Sequence, residues 1–84
     1  MSRKAKIIGF QGSWGSGLAY LIIENKQGNQ EFIVCENGET VRALEACFGN
    51  VITSGHTVNN DSIKGKEIEF ETGDFGLLEW FKSI

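Results

Sequence analysis

The segment Glu67-Ile68-Glu69-Phe70-Glu71 alternates strictly between acidic and apolar residues. Because successive side chains of a β-strand point to opposite faces, this pattern predicts a strand with one buried face and one solvated face. The glutamates could form a comb that binds a metal or a partner, but a charged outer face that keeps the strand soluble is favoured. The segment therefore indicates an antiparallel sheet with one face toward water.

Glycines divide much of the remaining chain into pieces of strand length. The first strand is predicted over residues 3–10, and residues 18–25 and 30–36 are predicted to form a hairpin around the turn at residues 26–29. A last strand is predicted near residues 75–81. The chain thus contains five predicted strands.

The apolar period changes between the third and fourth strands. Val41, Leu44 and Phe48 recur at helical spacing and predict a helix from about Glu39 to Phe48. Three strands, a helix and two strands is the element order of the OB-fold barrel, although an SH3-like barrel or an open antiparallel sheet with one packed helix would also fit. We therefore expect a mainly β, β-rich α+β fold: a small five-stranded antiparallel barrel, OB-like or SH3-like, with one short helix between strands 3 and 4.

The length and composition of the chain limit its organisation and its location. Its 84 residues are too few for two hydrophobic cores, so residues 1–84 are expected to form a single domain. The longest apolar run, Leu18 to Ile23, is far shorter than the roughly 20 residues of a membrane span. The first residues lack the apolar run of a secretory signal. We expect a cytoplasmic protein without a membrane partner.

The charges of the chain argue against a protein that depends on phosphate contacts. The formal net charge is -3, and basic residues cluster only near the start, at Arg3, Lys4 and Lys6. Nucleic acid therefore remains possible as a partner but is not favoured.

The residues that carry chemistry elsewhere show no recognisable arrangement in this chain. Cys35, Cys47 and His56 lack the close pairs of a structural zinc site, and no residue is placed to orient a catalytic histidine. Both thiols are expected to be free and to pack in the core. Residues 12–17 contain glycines, but their order and the following strand do not fit a phosphate-binding loop. We expect no cofactor, no metal and no enzymatic activity.

The first two strands carry apolar residues on both faces. If side chains alternate throughout, one face of these strands contains a group of basic and apolar residues: Lys4, Lys6, Ile8, Phe10, Tyr20 and Ile22. Three things could cover its apolar part: the helix, a bulge at Gly9 that exchanges the faces, or a partner. In the loop between the strands, Trp14 is a candidate aromatic anchor.

These observations lead to two hypotheses about function. The favoured one is a non-enzymatic binding module that self-associates as a homodimer or binds another protein through strands 1 and 2 and the Trp14 loop. The second is a weak single-stranded nucleic-acid binder, because basic and aromatic groups combine as single strands require. The candidate binding residues are Lys4, Lys6, Phe10, Trp14, Tyr20 and Ile22.

Overall fold

The structure of the chain, a computed structural model, describes residues 1–12, 17–52 and 58–84. This part of the chain forms five strands and two α-helices, which are in chain order β1 (Arg3–Gly12), β2 (Leu18–Glu24), β3 (Gln30–Glu36), α1 (Asn37–Phe48), α2 (Asn60–Ile63), β4 (Glu67–Thr72) and β5 (Leu78–Ser83). A single 3₁₀ turn, Asp74–Gly76, connects β4 to β5. The fold is mainly β, as predicted.

The strands form one antiparallel sheet in the order β3-β2-β1-β4-β5. Within the described residues β3 and β5 are not paired, so the sheet is open along this seam and the predicted closed barrel is not shown. Residues of α1 and of β5 line a common groove at the seam. The helix that directly follows β3 therefore lies where a strand ladder would have to close.

The predicted placement of the helix is wrong in detail. The helix α1 begins at Asn37, directly after β3, and not near Glu39. The reason is its cap: the Glu36 carboxylate accepts a hydrogen bond from the backbone N–H of Glu39 at 2.5 Å. The last residue of β3 therefore also caps the helix, and no loop separates the two elements. A second short helix, α2, precedes β4.

The core lies between the inner face of the sheet and the two helices. The strands contribute alternating inward residues, and Ile68 and Phe70 of β4 are fully buried, as the alternating glutamate pattern predicts. Leu44 of α1 and Ile63 of α2 are also fully buried. The predicted faces of β2 are confirmed, since Ala19, Leu21 and Ile23 are buried, whereas the residues between them are not.

The predicted alternation of β1 fails after Ile7. Ile7 is opposite Ile23, but Gly9 is opposite Ile22, so Ile8 is an extra residue and forms a bulge. The bulge turns Phe10 to the inner face, where only 7% of its surface is exposed. Of the three possible covers for the apolar face of the first two strands, the bulge near Gly9 is the one that explains the burial of Phe10.

The bulge is held by a residue that is distant in sequence. The backbone N–H of Phe10 donates a hydrogen bond of 3.0 Å to the side-chain oxygen of Asn60, the first residue of α2. Gly9 lies against the same amide, since a Cβ on it would be 3.5 Å from the Asn60 side chain. The pairing of β1 with β4 ends at Lys6, so the Asn60 side chain at the start of α2 provides the acceptor that a neighbouring strand would otherwise provide.

The last strand begins later than predicted, at Leu78, because residues 74–76 form the 3₁₀ turn. Within this turn Phe75 has a φ of 61° and a fully exposed side chain. A left-handed backbone is uncommon for an aromatic residue and does not continue a strand. The turn therefore ends the predicted extended segment early.

Candidate binding face

The outer face of β1, β2 and β3 carries a continuous group of apolar side chains. The register brings them together in rows, with Ile22 between Gly9 and Phe32, and Tyr20 between Gln11 and Val34. We call the following residues the apolar outer patch: Ile8, Leu18, Tyr20, Ile22, Phe32 and Val34.

Three side chains of the apolar outer patch are largely exposed. The exposed fractions are 62% for Leu18, 55% for Phe32 and 45% for Tyr20. The Tyr20 and Phe32 rings pack edge to face, with their centroids 5.9 Å apart. Because these two rings hold each other on adjacent strands, the patch offers a preformed aromatic surface. Contiguous exposed apolar surface of this kind usually marks an interaction site.

The predicted site residues are only partly brought together. Tyr20 and Ile22 belong to the apolar outer patch, whereas Phe10 is in the core and offers no ring to a partner. Lys4 and Lys6 are exposed near the start of β1, beyond the end of the patch. Trp14 lies outside the described residues.

The basic side chains of β1 lie among carboxylates. In the sheet, Lys6 is opposite Glu24 on one side and Glu67 on the other, and Lys4 is opposite Glu69. Opposite charges on neighbouring strands interact favourably and partly cancel each other's field. Lys4 and Lys6 therefore do not form a basic surface that would attract a polyanion.

Glu69 of β4 also lies beside a group of opposite charge, Lys82 of β5. The Ser2 hydroxyl donates a hydrogen bond to its carboxylate, and the Lys82 ammonium is 3.5 Å away. The Ser2 hydrogen bond, followed by the charges of Lys82 and Lys4, lowers the pKa of Glu69 below its ordinary value. The outer face of β1, β4 and β5 is thus a network of mixed sign.

A second charged group ties β1 to β3. The Arg3 guanidinium is 2.7 Å from the Glu31 carboxylate, which also accepts a hydrogen bond of 2.9 Å from the Asn25 amide. Arg3 also lies over the Phe70 ring, 5.2 Å from its centroid. The hydrogen bonds from Arg3 and Asn25 lower the pKa of Glu31. Arg3 therefore has a structural role. Its positive charge is paired with the Glu31 carboxylate and does not add to the charges of Lys4 and Lys6 in binding phosphate.

The sequence pattern within β3 does not identify Phe32 as a surface residue, because the run Phe32-Ile33-Val34-Cys35 indicates a strand without showing which face is exposed. The signal that could have found it is the hairpin turn. Once the turn sets the pairing of β2 with β3, Phe32 shares a face with Ile22 and Val34 shares a face with Tyr20.

The two cysteines lie in different environments. Cys35 is fully buried, and burial raises the pKa of its thiol. Cys47 is exposed on α1, so the prediction that both thiols pack in the core is wrong for this residue. The buried side of α1 follows Thr40, Leu44 and Phe48 at a spacing of four residues, and Cys47 lies beside this stripe on the exposed side. His56 lies outside the described residues.

Residues 1–12, 17–52 and 58–84 contain no group of three or more histidine, cysteine, aspartate or glutamate side chains arranged to hold a metal ion. Across the same ranges, each helix is too short or too polar to cross a bilayer.

Comparison of the chain with known proteins returned no match to a family model, to a curated protein or to a solved structure. The residues of the apolar outer patch and the charges beside it are therefore the basis for a functional assignment.

Proposed function

We propose that this protein is a non-enzymatic binding module that associates with a second copy of itself, or with another protein, through the apolar outer patch. The observation that supports the proposal is the continuity of the patch across three strands, with Leu18, Tyr20 and Phe32 each about half exposed or more. The cancelling charges beside it favour a protein surface over a polyanion.

The energy available at this face matches a modest interaction. Covering about 300 Å² of apolar surface contributes about 7.5 kcal/mol at about 25 cal/mol per Å². Association itself costs several kcal/mol in lost freedom of motion. We therefore expect weak and reversible binding unless residues beyond the patch, among them Trp14, add to the contact.

We also propose that residues 1–84 act as one small barrel-like domain, OB-like or SH3-like, in which the helix α1, and not a β3–β5 ladder, lies at the seam of the sheet. The strand order and a helix between β3 and β4 support this connectivity. A cytoplasmic location is part of the proposal, and the free thiols of Cys35 and Cys47 suit a reducing compartment.

Single-stranded nucleic acid is a second candidate partner, supported by one observation. Tyr20 and Phe32 are exposed aromatic rings on adjacent strands, and bases can stack on such rings. The carboxylates beside Lys4 and Lys6 weigh against this candidate.

Light scattering after size exclusion, from low to high micromolar concentration, tests the proposal. A mass that rises with concentration supports self-association, and a constant monomer mass leaves another protein as the partner of the patch. A labelled oligonucleotide, titrated at low salt, tests the second candidate. If the protein stays monomeric and binds no other protein, but binds the oligonucleotide tightly and this binding perturbs Tyr20 and Phe32, the first proposal is wrong and nucleic acid is the partner.

A further inference from the structure

A groove of about 290 Å³ lies on another part of the molecule, between α1 and β5. One wall is formed by the first turns of the helix, at Glu39, Thr40 and Ala43, together with Glu36 before it. The other wall is formed by Leu77, just before β5, and by the first four residues of β5, 78–81.

The lining of the second wall shows where the groove lies. This groove touches the five consecutive residues from 77 to 81, of which Leu77 precedes β5 and Glu79 is the extra residue of a bulge opposite β4. Because β5 is the last strand of the sheet and α1 forms the other wall, the groove lies beside the unpaired edge at the start of β5.

The backbone of β5 is directed into this edge. Ile84 donates its N–H to the carbonyl of Glu67, which fixes the alternation of the β4–β5 ladder. Trp80 and Lys82 therefore bond to β4, whereas Phe81 and Ser83 direct their N–H and C=O groups away from β4, toward the open edge. A further strand could pair with these groups.

The charge around the groove identifies the chemistry of a guest. Glu36, Glu39 and Glu79 contribute carboxylates, and the described lining contains no lysine, arginine or histidine. Glu36 already caps the helix through the N–H of Glu39, so the helix start does not offer its full complement of amides to an anion. Apolar contact comes from Leu77 and Trp80, which are 41% and 39% exposed.

We propose that the groove between α1 and β5 binds an extended peptide segment with basic side chains, which adds to the free edge of β5 as an additional strand. A strand edge with a helix beside it is a geometry in which sheets accept extended peptides. Main-chain bonds to Phe81 in the groove and to Ser83 just beyond its lining hold the peptide, and the carboxylates select lysine or arginine over acidic side chains. This site is separate from the apolar outer patch.

The experiment uses the full chain, labelled with ¹⁵N, and two synthetic peptides with blocked ends. One peptide alternates lysine with valine, and the other has glutamate in place of lysine. Amide hydrogen exchange is measured with and without each peptide. With the lysine peptide, we expect protection at Phe81 and Ser83 and little change at Trp80 and Lys82, whose amides already bond to β4.

A pair of variants tests the role of charge. Combining Glu39→Gln with Glu79→Gln is expected to weaken binding of the lysine peptide roughly fivefold or more. The control is Glu45→Gln on the same helix, at an exposed position outside the groove, which is expected to leave affinity unchanged.

Three results would overturn the proposal. The first is no protection at Phe81 and Ser83 with the lysine peptide at millimolar concentration, and the second is equal binding of the glutamate peptide. The third is protection at Phe32 and Val34, which would place the guest strand on the β3 edge. Loss of self-association by the apolar outer patch would leave these outcomes unaffected, so the two proposals fail separately.

Discussion

Replacing Phe32 by alanine removes one of the two aromatic rings of the apolar outer patch. The side chain is 55% exposed, and an aromatic side chain presents about 200 Å² in total, so about 110 Å² is available to a partner. At about 25 cal/mol per Å² its burial contributes about 2.7 kcal/mol, and less once the remaining alanine methyl is included. Since about 1.4 kcal/mol is a factor of ten, we expect association to weaken roughly ten- to hundredfold.

Sedimentation velocity over a concentration series measures this change in the dissociation constant. The matched control is Phe75→Ala, the same substitution at a fully exposed phenylalanine on the β4–β5 turn, outside the patch. Loss of the edge-to-face contact with Tyr20 is expected to lower the free energy of unfolding by only about 1 kcal/mol, so the variant stays folded. Equal weakening by both variants, or none by Phe32→Ala, would refute the assignment of the patch as the contact surface.

Three further measurements test the structural arguments. Asn60→Ala leaves the Phe10 N–H without its acceptor, and urea unfolding should show a loss of about 1–2 kcal/mol that Asn60→Asp largely restores. Because the pKa of Glu31 is lowered in the folded state, its ionised carboxylate stabilises the fold above the ordinary glutamate pKa of about 4.3, and this stabilisation is lost as pH falls through the lower folded-state pKa. In Arg3→Gln, thermal unfolding should show a smaller loss of stability with falling pH. An unchanged dependence of stability on pH would contradict the pairing of Arg3 with Glu31. A thiol reagent should modify Cys47 in the native protein and Cys35 only after unfolding. The Cys47→Ala variant retains only the Cys35 thiol, so rapid modification of the folded variant would contradict the burial of Cys35.

The hairpin and the alternating strand could be predicted because their information is local. Side-chain periodicity identified β4, and the turn near Gly28 identified the pairing of β2 with β3. The same pattern placed Tyr20 and Ile22 correctly on the outer face of β2. Extended across the turn, the register of the hairpin places Phe32 on the same outer face, opposite Ile22.

The position of Phe10 could not be obtained in this way. Its inward orientation depends on a bulge at Ile8, and the bulge depends on a hydrogen bond to Asn60, which is 50 positions further along the chain. Periodicity within one strand cannot report a contact over that separation, so strict alternation assigned the ring to the wrong face.

The amino-acid sequence by itself determined which segments become strands and which of their faces are apolar, since burial of alternate side chains is a local property of the pattern. Tertiary structure alone decided which charges neighbour one another. Lys4 and Lys6 form a basic cluster in the sequence, but strand pairing places them beside Glu67 and Glu69 from the far end of the chain. The electrostatic field of a surface depends on distances in space, and those distances exist only once β1 and β4 are paired.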